Sequence, residues 1–198
     1  LERAWNEGYR SPDLSLALGR ALAMNYREAL DMAGALPTKE AREAREKELS
    51  HQLRDPALVL LREGASASLE APAFYEALLA AMEQRWIDVE TLADEALKRT
   101  PWLFEAAALK GQAFLARAKA HGDPVQVFAL LDEAEAALAQ ARTLGPSDPT
   151  VAILEVRALA QRVQLERQAG RSADGTLANC REAVGRAQEI RPDGGEAL

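Results

Sequence analysis

An alanine followed five residues later by a proline closes three stretches of this chain: Ala96 to Pro101, Ala141 to Pro146 and Ala187 to Pro192. Three residues before each alanine stand Ala93, Leu138 and Val184, and seven before stand Val89, Ala134 and Cys180. Small or apolar side chains at these spacings mark one face of a helix. The prolines lie 45 and 46 residues apart (146−101 and 192−146). A near-constant period carrying a helix-pair pattern is what a helical repeat protein writes into its sequence, because each hairpin needs a neighbour to cover its apolar face. The reading is therefore all-α, with an N-terminal helical segment over residues 1–70 and repeats over 71–101, 101–146 and 147–192.

Composition supports close helix-on-helix packing. Hydrophobic residues make up 48% of the chain but aromatic ones only 5%, so alanine and leucine supply the apolar surface. Alanine has the best helix propensity and lets backbones approach. Helix starts are read at Ser11-Pro12, Thr38, Asp55-Pro56, Pro101, Gly122-Asp123-Pro124 and Ser147-Asp148-Pro149, where capping side chains or prolines precede apolar periodicity. Between Thr38 and Arg54 the charges alternate in sign, as on a solvated helix. The stretch from Gly64 to Glu70 reads as a linker. Gly111 falls inside the helix expected from Pro101 to His121, where glycine weakens a helix by ~1 kcal/mol. A closely packed partner helix is expected there, with Gly111→Ala near neutral and Gly111→Leu overpacked.

No reaction is named by these residues. Glycine-rich phosphate loops, a kinase catalytic loop and dinucleotide fingerprints are all missing. His51 and His121 have no further histidine or cysteine at ligand spacing and read as surface groups. Cys180 holds an apolar repeat position and behaves as a small hydrophobe. Asp132, Glu133 and Glu135 are conceivable as an acid/base set, although carboxylates so spaced on an alanine-rich helix usually face solvent. A net charge of −7 argues against nucleic acid as partner, because such binding needs a cationic footprint. No run reaches the ~18 apolar residues of a membrane span, and no secretory signal opens the chain. One cysteine permits no internal disulfide, which fits a reducing cytoplasm. The start at Leu1 and the stop just past the third repeat ending read as a piece of something longer.

The register at Val89/Ala93/Ala96/Pro101 and its two repetitions resembles the second helix of the tetratricopeptide repeat. Trp86 looks like the ring that precedes that helix, and Gly111 with Phe114 resembles the small-then-ring pair of its first helix. The family's period is 34, so the resemblance implies lengthened helices or turns in a right-handed superhelix. It also implies a concave surface lined by first helices, on which Phe74, Leu78, Glu105 and Gln112 are the candidate protein-binding residues. Phe74 and Leu78 are more readily read as core. Glu105, Ala108 and Gln112 do not match the family's clamp for peptide C-terminal carboxylates.

The order of WNEGYRSPDLSLALGRAL, a charged helix, RDPAL and ALKRTPWLFEA is similar to the helical tails that follow bacterial Hanks-type serine/threonine kinase domains. That resemblance implies a non-catalytic module that binds proteins or peptides, needs no cofactor and regulates or scaffolds a kinase in the cytoplasm. An interaction domain of another regulator, such as a transcription activator or a cyclase, is the alternative. A helical enzyme with an acidic site stands last.

Overall fold

In a computed structural model, residues 2–65 and 71–190 are described, and among them every regular element is a helix. The chain divides into two compact units, residues 1–84 and 85–198. The boundary falls within the window 71–101, so its first helix belongs to the first unit and its second helix to the second.

The first unit holds α1 (Glu2–Asn6), α2 (Pro12–Gly34), α3 (Lys39–Leu49), a π turn (Ser50–Arg54), α4 (Asp55–Ala65) and α5 (Pro72–Met82). Ser11 and Thr38 cap α2 and α3, accepting from the backbone N–H groups of Leu14 and Ala41. Helices α2 and α4 run antiparallel with backbones nearly touching. A Cβ on Gly19 would fall 3.0 Å from the Leu61 nitrogen, and one on Gly64 would fall 2.9 Å from the Leu16 nitrogen. The two contacts sit three residues apart on each helix and fix the register. Gly64 is therefore a buried packing position of α4 rather than the start of a linker, and residues 66–70 of that expected linker lie outside the described residues. The short helix expected from Asp55-Pro56 is α4, with Leu58, Leu60 and Leu61 buried, and it follows α3 and the π turn without a break. Pro56 has no N–H to give the carbonyl four residues back and would crowd it. The chain widens just before it, with the Asp55 N–H reaching Ser50 five residues away. Leu16, Ala23, Tyr26, Leu49, Leu58, Leu61 and Met82 form the core, joined by Tyr75 and Leu79 of α5.

The second unit holds α6 (Trp86–Arg99), α7 (Phe104–Ala120), α8 (Pro124–Leu144), α9 (Pro149–Gln168) and α10 (Asp174–Ile190). Each packs on the next, and α7 also touches α9. The expected apolar register is the buried one: Val89 and Ala93 are fully buried, as are Ala134, Leu138 and Ala141. The period is visible in the backbone as well. Thr100 ends α6 at φ −133°, ψ 77°, and Gly145 ends α8 at φ −134°, ψ 68°. Each donates its N–H to the repeat alanine, Ala96 or Ala141, at 2.8 Å. Each carbonyl then accepts from the residue three further on, Leu103 at 3.1 Å and Asp148 at 3.2 Å. Consequently α7 begins at Phe104 rather than at Pro101, just as α9 begins 45 residues later at Pro149. The third ending, at Pro192, lies outside the described residues.

Helices α7 and α8 share the most extensive contact of the second unit. Gly111 lies opposite Leu138, and seven residues back along α7 the Phe104 ring lies opposite Gly145. A Cβ on Gly111 would sit 2.7 Å from Leu138 Cγ. The close approach expected at Gly111 is present, but it leaves no room even for alanine, so the near-neutral expectation for Gly111→Ala is corrected.

Candidate functional site

Ion pairs join successive helices of the second unit, and they recur with the same period. Arg117 of α7 reaches Glu90 of α6 at 2.7 Å, while Lys110 reaches Asp94 at 2.6 Å. Forty-five residues on, Arg162 of α9 reaches Glu135 of α8, and it also holds Asp132. Burial works against the Arg162 charge. The hydrogen bonds it donates to Asp132 and Glu135 outweigh that penalty and raise its pKa above the ordinary arginine value. The acidic set expected at 132–135 is thus divided: Asp132 and Glu135 clamp an arginine, and Glu133 is exposed.

Beside this clamp, α8 and α10 flank a half-open groove of about 390 Å³ whose floor is α9. Glu155, with its side chain only 11% exposed, accepts from Arg142 of α8 at 3.0 Å and from Arg186 of α10 at 3.3 Å. One carboxylate thereby ties three helices together. Arg186 also reaches Glu182 at 3.1 Å, and its Nε is shielded from solvent without a hydrogen-bond partner. Asn179, Ala158 and Leu159 complete the lining between the charged walls. Charge-assisted bonds of this kind hold orientation, and the guanidinium groups retain further donors for a ligand's oxygens.

No family model, no curated protein and no solved structure matches the chain significantly. Its reading rests on its own residues.

The four candidate residues divide between the units. Phe74 is 3% exposed and packs against Tyr75 with ring centroids 5.5 Å apart, so it serves the first unit's core. Leu78, on the same helix, is half-buried. Glu105 and Gln112 are half-buried on α7, and the Gln112 Oε1 is shielded with no hydrogen-bond partner. None of the four lines the groove. Its residues lie between positions 135 and 186, on three helices, and no local pattern announces them. The repetition of Glu90 and Arg117 as Glu135 and Arg162 was the available signal.

Among the described residues, no cluster of three or more histidine, cysteine or acidic side chains is arranged to hold a metal, and no helix is long and apolar enough to cross a membrane. His51 is exposed, 3.9 Å from Asp55. His121 accepts from the Asp123 N–H through Nδ1 at 3.2 Å and so shapes the turn before α8. Cys180 is half-buried.

Proposed function

We propose that the chain is a non-catalytic protein-interaction module, a tetratricopeptide-like set of lengthened hairpins that regulates or scaffolds a serine/threonine kinase. The observation that carries the interaction reading is the charged groove across α8, α9 and α10. Its shape is held by one shared carboxylate, and Arg142 and Arg186 line it. Glu155, Glu135 and Glu182 are each engaged by an arginine, an arrangement that fixes charge and geometry rather than delivering a proton. The repeated joints at Thr100 and Gly145 support the hairpin reading. Attachment to a kinase rests on the sequence resemblance, with other regulators as the alternative parent.

The test compares immobilised wild-type chain with an Arg142→Gln/Arg186→Gln double variant in capturing a partner from the native organism. Loss of capture at an unchanged helical content supports the groove. Equal capture by both removes it. The kinase assignment is decided separately, by whether the coding sequence upstream of Leu1 specifies a His-Arg-Asp catalytic loop.

A further inference from the structure

We propose that the groove across α8, α9 and α10 takes a short dipolar stretch of a partner protein, which presents a carboxylate to the Arg142/Arg186 end and a lysine or arginine to the Asp132/Glu135 end. This deepens the interaction-module reading and rests on it. The three helices line the groove in one antiparallel register. Glu135 of α8 meets Arg162 of α9, and seven residues along each helix Arg142 meets Glu155. Glu155 in turn meets Arg186 of α10, and seven residues back along α10 stands Asn179, also in the lining. Seven helical residues rise about 10 Å, so the groove carries two polar layers that far apart. Ala139, Ala158 and Leu159 fill the floor between them.

The layers have opposite charge. In one, Asp132 and Glu135 share the single guanidinium of Arg162, which leaves a negative charge in excess. In the other, Arg142 and Arg186 share the single carboxylate of Glu155, which leaves a positive charge in excess. Glu182, between the layers, also bonds Arg186, but its side chain is 75% exposed, and a surface pair of this kind holds weakly against water. The Arg186 Nε is shielded and has no partner, so the basic layer has a donor to give. A ligand of one sign satisfies one layer and is repelled by the other, whereas a ligand with both signs at this spacing complements both. A volume of about 390 Å³ is near the lower end for ligand sites, so only a short stretch enters. In a polyproline II backbone, residues three apart share a face and lie about 9 Å apart, which matches the layers.

The probe is a blocked tetrapeptide with glutamate at one end, lysine at the other and two alanines between, made in both chain directions and titrated into the full chain. In NMR spectra the Nε–H signals of Arg142 and Arg186 report the basic layer, and the Asn179 amide reports the acidic one. At least one direction is expected to shift both sets of signals. Replacing its glutamate or its lysine by glutamine should each raise the half-saturating concentration about fivefold, the size of a partly exposed ion pair. Arg142→Gln should abolish the effect of the glutamate replacement and keep that of the lysine; Asp132→Asn should do the reverse. Both side chains are exposed, at 44% and 70%, and an unchanged helical content shows that the fold is kept. No shift with either direction overturns the proposal, as does an affinity that ignores either charge. Equal response of both variants to both replacements overturns it too, because the groove would then have no polarity. If Arg142→Gln/Arg186→Gln loses the native partner while neither tetrapeptide binds, the groove stands and this ligand class falls.

Discussion

Gly111 and Gly185 are both interior helical glycines, and their surroundings give opposite predictions. At Gly111 a methyl group meets the Cγ of fully buried Leu138, which cannot swing aside as a flexible chain end would. At Gly185 nothing lies within 4 Å of an added Cβ. Gly111→Ala is expected to lower stability by ~1–2 kcal/mol and Gly111→Leu by more, because inserted atoms in a packed joint force backbone shifts. Gly185→Ala is expected to raise it by ~0.5–1 kcal/mol through helix propensity alone. Thermal melts of the three variants check this, and a stabilising Gly111→Ala would contradict the close α7–α8 approach. Gly111 was legible because a glycine amid alanines weakens a helix without evident local reason. Gly64 was not: near the end of a helix and followed by serines, it has the local features of a linker, and only Leu16, far away in sequence, makes it a packing residue.

Between elements, the repeated pairs make a quantitative prediction. Glu90–Arg117 and Glu135–Arg162 are partly buried, with side-chain exposures of 16%/34% and 35%/16%. Double-mutant cycles to Gln and Met should give coupling energies of ~0.5–1.5 kcal/mol for each pair, somewhat above the usual surface value. Two values agreeing within a factor of two are expected from equivalent junctions. Zero coupling at either pair would break the equivalence. Along α3 the prediction concerns pH. A hydrogen bond and the positive charge of Arg45, with a smaller contribution from Gln52, hold the Glu48 carboxyl below the ordinary glutamate range. Its folded-state pKa is depressed, so its contribution is present above the ordinary value and fades as pH falls through the lowered one. An NMR titration should place the Glu48 midpoint below that of a free glutamate, and Arg45→Gln should move it up. An unchanged midpoint would deny the pair in solution. Alternating charges in the sequence announced a solvated α3, whereas the Arg162 clamp required two helices to meet.

On the scale of the molecule, each unit has its own core: Leu16 to Met82 in one, Ala107 to Ala158 in the other. Residues 85–198 expressed alone are therefore expected to remain helical and to melt in a single cooperative step, because successive helices of this unit cover one another. Circular dichroism checks this, and a broad, non-cooperative melt would show that the unit depends on residues 1–84. The boundary at Gln84 and Arg85 was not legible from the repeat register, which groups α5 with α6. It is the packing of Tyr75, Leu79 and Met82 against α2 and α4 residues that assigns α5 to the first unit.

The sequence by itself determined the helical class, the capped starts at Ser11, Thr38 and Asp148, and the period of the apolar stripe. All of these follow from spacings within one or two turns of helix, where local sterics and hydrogen bonding decide. The tertiary structure alone decided that Phe74 is core, that Gly19 and Gly64 let two backbones meet, and that Glu155 is shared by Arg142 and Arg186. Those features depend on which helices become neighbours. That choice is made by the fit of whole faces against one another, and no window of sequence contains both sides of the fit.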